Sequence, residues 1–306
     1  MPTTLPSVCP HDCTSTCALD VDVSDNGVVG RVRGSHRNSY TAGVICEKVG
    51  RYAERQNHPD RLKHPLLRTG PKGSGQWKRI SWDEALDRTA EAFTNAAARY
   101  GAESVWPYFY AGTMGWVQRD GIQRLRHAMK YSRWHSTICN ALSDAGWIAG
   151  AGSKRGVDLR EAAEHAGMIV IWGGNPVNTQ VNVMHHAMAA KKRGAPLVVV
   201  DPYRTGTAEK ADIHLPVRPG TDGALAAAMM HVLFAEGLAD WDYLRRYTDC
   251  PEELAAHVAT RTPEWASSIT GLPVQQIADF ARLYGRTKNS FIRCHHGFSR
   301  SRNGAA

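Results

Sequence analysis

Long apolar runs are missing from this chain. Nowhere in its 306 residues do about 18 consecutive apolar side chains occur, the length that a membrane-crossing helix needs. A leader is missing too: the opening residues, MPTTLPS, hold neither the basic nor the apolar stretch of a secretory signal, and no twin-arginine pair begins the chain. Both absences predict the reducing cytoplasm, where the seven cysteines are metal ligands, nucleophiles or buried thiols rather than halves of disulfides. Concentrated charge is also lacking. The net charge is +8, but the basic residues are dispersed rather than gathered into a tract or one basic helix face, so nucleic acid is not expected as a partner. The same excess suits an anionic, phosphate-bearing cofactor, or a plain solvated surface. No repeat of solenoid length is present, and the G-x-G-x-x-G of dinucleotide-binding proteins is absent, which disfavours NAD.

What is present is enough apolar content, 42%, to bury a full core, and a length that suggests about two domains. Ala18 to Val23 and Val28 to Arg33 alternate apolar and polar residues around Asp25-Asn26-Gly27, the pattern of a β-hairpin. From His58 to Gln76 three prolines and three glycines break the chain, which sets a boundary near residue 60. Ser81 with Glu84 three residues on opens a helical run, as in a capping box, that stops at Gly101. Ser104 to Phe109 reads as a strand, Val117 to Met129 as a helix, and a run from Ser132 to Ile138 leads to Cys139 at the start of another helix. Beyond it, strands at Met168–Trp172, Leu197–Val200, Ile213–Val217 and Ser290–Cys294 alternate with helices at Asn182–Arg193, Asp222–Glu236 and Val274–Tyr284. Such alternation predicts an α/β fold: a small N-terminal domain with a β-hairpin (1–60), then Rossmann-like α/β domains with parallel sheets at 61–134 and 135–306. The last residues, from Arg300 to Ala306, follow a strand without closing an element, so the chain is expected to stop mid-structure, its 61–134 domain being a first part only.

Three positions carry candidate chemistry. Cys9, Cys13 and Cys17 are separated by three intervening residues each, and Cys46 follows after a gap of 28 residues across the hairpin. Four thiolates from one tight loop and one distant anchor suit a [4Fe–4S] cubane, in which each iron takes one cysteine sulfur. Structural zinc normally uses paired knuckles in both halves, whereas here the second half offers Cys46 alone; zinc and buried thiols stay as alternatives. Lys48, two residues after Cys46, is a cation placed to tune an anionic cluster, or a solvated lysine. The second position is a pair of strand ends: Trp172 runs into Gly173-Gly174-Asn175-Pro176-Val177-Asn178-Thr179, and Val200 into Asp201-Pro202-Tyr203-Arg204. Parallel sheets bind ligands beyond the carboxyl ends of their strands, where glycines admit a phosphate to the backbone. Gly220 and Asp222, at a helix start, are either a further contact or simple capping. The third is Cys139, which is a nucleophile, a metal ligand or a small core residue; Cys250 and Cys294 read as structural.

Taken together these residues resemble the molybdenum or tungsten bis(molybdopterin guanine dinucleotide) oxidoreductases, the superfamily of formate dehydrogenases, nitrate reductases, and thiosulfate and polysulfide reductases. The resemblance runs over essentially the whole chain. It rests on the four cysteines with Lys48, on Trp172-Gly173-Gly174-Asn175-Pro176, on Arg193-Gly194-Ala195 leading to Val200-Asp201-Pro202-Tyr203-Arg204, and on Ala211-Asp212-Ile213-His214-Leu215 leading to Arg218-Pro219-Gly220-Thr221-Asp222. It implies that Cys9, Cys13, Cys17 and Cys46 bind one [4Fe–4S] cluster, that Lys48 lies between cluster and pterin, and that Cys139 is the protein ligand to molybdenum. The residues Gly173, Gly174, Asn175, Asn178, Thr179, Asp201, Arg204, Gly220 and Asp222 would hold a guanine dinucleotide arm.

A soft thiolate suits a molybdenum already bound by dithiolene sulfurs, at which a substrate exchanges oxygen or sulfur or loses hydride. The resemblance therefore implies a cytoplasmic redox enzyme acting on a small-molecule substrate, a small inorganic, sulfur or oxyanion species, and exchanging single electrons with a protein partner. Two departures bear on this: the first cysteine gap is three residues where many members have two, and Asn140 stands where formate-oxidising members have histidine. The alternatives are a formate dehydrogenase or nitrate reductase type, a non-catalytic iron–sulfur electron-transfer subunit that has lost molybdenum, or a truncated chain whose fold survives without function. Relatives of this kind run to about twice the length, so a barrel-like domain closing over the cofactor is expected outside this chain.

Overall fold

A computed structural model describes residues 2–109, 116–133 and 140–305, the stretch 116–119 as backbone only. The chain divides into two compact units, Met1–Ser136 and Thr137–Ala306. Among the described residues no helix is long and apolar enough to cross a membrane.

The first unit begins with a three-stranded antiparallel sheet of β1 (Thr3–Val8), β2 (Ala18–Val23) and β3 (Val29–Gly34), in that order. The hairpin between β2 and β3 is the expected one; its turn closes at Gly27, whose φ of +77° suits a residue without a Cβ. β1 was not anticipated, because Thr3 to Val8 carries a proline and no clean alternation. It pairs along its whole length with β2 and is fully exposed on its outer side, where Pro6 sits on an edge strand, the sheet position that tolerates proline. Two short helices follow, α1 (Glu47–Gly50) and α2 (Tyr52–Gln56). The breaker-rich stretch after them is not merely a connection, since it contains a small hairpin of β4 (Leu66–Arg68) and β5 (Trp77–Arg79).

Helix α3 (Trp82–Tyr100) starts as expected, with the Ser81 hydroxyl accepting from the Glu84 amide at 3.0 Å, and ends at Gly101. The strand expected at Ser104 to Phe109 does not form: Ala102–Ser104 is a single 3₁₀ turn, and Val105 to Phe109 runs without ladder pairing. Pro107 removes one ladder donor, and Val105 bonds instead to the preceding 3₁₀ turn, N to Ala102 O at 3.1 Å, and to Ser132 N, which donates to its carbonyl at 3.0 Å. Helix α4 (Trp116–Met129) follows. Most of the run from Ser132 to Ile138 lies outside the described residues.

The second unit is a four-stranded, wholly parallel sheet flanked by helices. Its elements are α5 (Asn140–Ala151), α6 (Leu159–His165), β6 (Met168–Trp172), α7 (Pro176–Thr179), α8 (Val181–Lys192), β7 (Leu197–Val200), β8 (Ile213–Leu215), α9 (Asp222–Ala235), α10 (Trp241–Tyr247), α11 (Pro251–Val258), α12 (Pro263–Thr270), α13 (Val274–Arg286) and β9 (Ser290–Cys294). Every residue of β6 and β7 is buried, which is why these strands read as continuous apolar runs: a parallel sheet is covered on both faces. Met168, Val170, Trp172, Val198 and Val200 point into a core shared with Leu225 and Met229 of α9 and Ile277 and Phe280 of α13. On the other side α8 packs against β6 and α6 against α8.

The spatial order is β8-β7-β6-β9. The chain winds outward from β6 through β7 to β8 and then returns to place β9 on the other side of β6. The reversal puts the switch point between β6 and β9, at whose carboxyl ends doubly wound sheets bind ligands.

Candidate functional site

In the first unit the cysteines converge because of the sheet. Cys9 to Cys17 form the connection from β1 to β2, closed by a bond from Cys9 N to Cys17 O at 2.9 Å, while Cys46 caps α1. Cys17 is buried with Leu19, Val32 and Val49, and Cys9 and Cys46 pack against that group. Two amides point at sulfur: Ser15 N lies 3.5 Å from Cys13 Sγ, and the His11 backbone bonds to the Cys9 thiol. Burial, then the nearness of the other three thiols, pushes Cys17 up to about 11; burial also raises Cys9, with the His11 amide opposing it. Thiols held this high ionise readily only against added positive charge, which iron supplies. Among the described residues no three His, Cys, Asp or Glu side chains converge on a single-ion position. Four thiols that sense one another at wider spacing, with amides donating to sulfur, fit a cubane better than a zinc ion.

Lys48 is exposed on α1 and lines a concave surface of about 530 Å³ with Arg51, Arg55 and Arg61. Tyr52 carries no local signal in the sequence; its hydroxyl bonds to His11 Nε2, and it packs against the same buried group as Cys9 and Cys46. His11 lies inside the cysteine loop, but nothing local points to a tyrosine 41 residues away.

In the second unit the expected ligand loops all leave the carboxyl edge of the parallel sheet. Gly173 to Thr179 follows β6, Asp201 to Arg204 follows β7, and Gly220 and Asp222 follow β8 at the start of α9. The structure joins them. Trp172 Nε1 donates to Asp222 Oδ1 at 2.8 Å, tying the end of β6 to the head of α9. The fully buried Thr207 hydroxyl donates to Asn175 Oδ1 at 2.7 Å, and Thr207 Oγ1 in turn accepts from Val177 N at 3.2 Å. Thr207 gave no sequence signal. Asp201 is 7% exposed and its carboxylate accepts from Tyr203 N at 3.3 Å; burial raises its pKa, and the Asp222 carboxylate adds to the rise. Asn178, Thr179 and Arg204 are exposed on the same edge.

The glycines have a second reason to be there. Segment 295–298, leaving β9, crosses directly over the loop after β6: His295 N donates to Trp172 O and Gly297 N to Gly173 O, each at 2.9 Å. A Cβ on Gly173, whose φ is +67°, would stand 2.6 Å from Phe298 N, and one on Gly174 would stand 2.2 Å from the His295 ring. Gly173→Ala therefore meets both left-handed backbone and a backbone clash. A loss of about 1–3 kcal/mol is expected as a lower urea midpoint; an unchanged midpoint would show that this crossing is not a fixed part of the fold. The loops after β8 and β9 also meet, with Ser301 Cβ 3.2 Å from the Cβ position of Gly220. Two carboxylates, Asp201 and Asp222, stand on this edge beside the glycine loop, acceptors of the kind that a guanine base, which donates, can meet. Cys139 lies outside the described residues.

Comparison with known proteins agrees with both halves. Residues 2–58 match the molybdopterin oxidoreductase Fe4S4 domain and residues 61–306 match molybdopterin oxidoreductase. The chain is 38% identical over 299 residues to the probable oxidoreductase YoaE of Bacillus subtilis, covering 97% of this chain and 44% of that protein. It is 32% identical over 343 residues to the dimethyl sulfoxide reductase DmsA of Haemophilus influenzae, covering 97% and 42%. Among solved structures, the acetylene hydratase of Pelobacter acetylenicus superposes with a TM-score of 0.75 at 26% identity, covering 98% of this chain and 41% of that one. The chain thus spans about two-fifths of the length of these relatives. With its iron–sulfur domain, its parallel α/β unit and its [4Fe–4S] and molybdopterin cofactors, it belongs to the molybdopterin oxidoreductase family.

Proposed function

We propose that this chain is the front part of a cytoplasmic enzyme that reduces a small sulfur- or oxygen-bearing substrate at molybdenum, drawing electrons one at a time through a [4Fe–4S] cluster from a protein partner. Cys9, Cys13, Cys17 and Cys46 hold the cluster, Lys48 stands between it and the pterin, and Cys139 ligates the metal. When bound, the pterin-held metal supplies the two-electron exchange with substrate. The chain's own residues bind and orient. The Gly173–Thr179 loop borders the phosphates at the switch point, Thr207 fixes Asn175 within that loop, and Asp201 and Asp222 accept from the guanine base. Arg204, exposed on the same edge, neutralises the pyrophosphate. In the first unit, the amides aimed at Cys9 and Cys13 favour the reduced, more negative cluster.

The observation that carries this reading is the meeting of the three loops at the carboxyl edge of the sheet, through Trp172 with Asp222 and Asn175 with Thr207. Mild acid treatment of the purified chain should release guanosine monophosphate in proportion to its molybdenum, and Asp222→Ala should lower both about tenfold or more, the cost of leaving buried donors without their charged acceptor. Molybdenum without guanine nucleotide would refute the dinucleotide form.

A further inference from the structure

The cysteine loop of the first unit is held from α2 as well as from the sheet. The Tyr52 hydroxyl bonds to Nε2 of His11, the second residue after Cys9, and the two rings pack with centroids 5.5 Å apart, tilted by 51°. This bond does not depend on which ring nitrogen carries the proton, because the phenol donates to a bare Nε2 or accepts from Nε2–H. His11 is also the residue whose backbone N–H donates to the Cys9 thiol. One residue thus meets the Tyr52 hydroxyl with its side chain and delivers a hydrogen bond to sulfur from its main chain.

Tyr52 is placed for this by its own element. It opens α2 shortly after Cys46, is partly buried, and packs with Cys9 and Cys46 against the core of Cys17, Leu19, Val32 and Val49. Its hydroxyl lies within electrostatic reach of the thiols: burial raises its pKa, Cys9 and Cys46 add to the rise, and Arg55, 5.9 Å over the ring, opposes them. On the Cys13 side the loop is held by its own turn, with Ser15 N 3.5 Å from Cys13 Sγ and Thr16 N bonded to Cys13 O at 3.2 Å. On the Cys9 side it is held from α2, through the His11 ring.

We infer that Tyr52 is a positioning residue for the [4Fe–4S] cluster: through the His11 ring it holds the His11 amide on the Cys9 sulfur, and so raises the cluster's reduction potential. The inference rests on the reading of Cys9, Cys13, Cys17 and Cys46 as the cluster's ligands. In the step it affects, one electron passes from the protein partner, which is oxidised, to the cluster, which is reduced; no bond forms or breaks. The cluster and its thiolates become more negative by that electron, so a donor fixed on a ligand sulfur stabilises the reduced form more than the oxidised one. An amide free to swing off the sulfur does so less. The Tyr52 hydroxyl therefore bears on which partners the cluster can draw electrons from.

The test reads the cluster's potential in the full chain, purified without oxygen and reduced stepwise with dithionite while the electron paramagnetic resonance of the reduced cluster is followed. Tyr52→Phe keeps the ring and removes the hydroxyl. It should retain about four irons and shift the equilibrium against the reduced form roughly threefold to tenfold, the scale of one hydrogen bond. A tenfold shift is about 59 mV toward negative potential for one electron. His11→Leu should act in the same direction, and Tyr52→Phe added to His11→Leu should shift the potential no further, since both work through one amide. An unchanged potential in Tyr52→Phe with its iron retained overturns the inference. So does a full second shift in the double variant, or loss of iron from Tyr52→Phe, which would make the contact a structural clamp. Zinc in place of iron in the wild type, or iron undiminished in Cys9→Ala, sinks the ligand reading itself, and this inference with it.

Discussion

Cys13→Ala should strip the chain of its iron, from about four atoms per chain to close to none, with loss of the brown iron–sulfur absorption. The effect is large because a cubane has no spare ligand: on the proposed ligand set the loop from Cys9 to Cys17 would supply three of the four sulfurs, and the turn that carries Cys13 is pinned by Thr16 N bonding to Cys13 O at 3.2 Å. Thr16 itself has a φ of +43°, so the loop holds a backbone conformation that a side chain rarely adopts, and ligation of iron is what such a conformation would serve. Cys250→Ala is the control. That thiol is exposed in the second unit, and its removal should leave iron unchanged. Full iron in Cys13→Ala would exclude Cys13 as a ligand.

Cys139→Ala should have the opposite signature, leaving iron in place while substrate turnover falls by more than about 100-fold. Removing groups that merely orient a metal ligand already costs about 10–100-fold at metal sites, so losing the thiolate itself should exceed that. Iron content and substrate-driven viologen oxidation, measured side by side, separate the two cysteines: one variant loses the cluster, the other loses the chemistry. Turnover retained in Cys139→Ala would remove the thiolate from the metal site.

Much of the parallel unit was legible because its strands are buried on both faces. Met168–Trp172 and Leu197–Val200 can be little else than core strands, and the loops after them stand out by glycine, asparagine and acid. The hairpin of β2 and β3 and the cap at Ser81 were legible for local reasons, a turn residue and a side chain three positions from its partner. What failed was non-local. β1 exists because β2 offers an edge, not because Thr3 to Val8 alternates. Ser104 to Phe109 looks like a strand and lacks ladder pairing. The short helices from Trp241 to Thr270 carry too few turns each to show a period, although Asp240 and Thr262 cap two of them as their residue types suggest.

In the site the same division holds. The cysteine spacing, the two glycines and the acids could be named from sequence, but their reasons could not. In sequence Gly173 and Gly174 look like room for a phosphate; in the structure they make room for residues 295–298. Asp222 was read as a ligand contact or a cap, and it is also the acceptor for Trp172, 50 residues away. Contacts such as Ser143 with His296, 153 residues apart, are created by the strand order β8-β7-β6-β9 and leave no trace in either local sequence.

Iron and molybdenum per chain, measured on wild-type protein purified without oxygen, decide whether this is a cluster and molybdopterin protein. About four irons are expected in every preparation, with molybdenum present in proportion to guanine nucleotide. Zinc in place of iron would contradict that expectation.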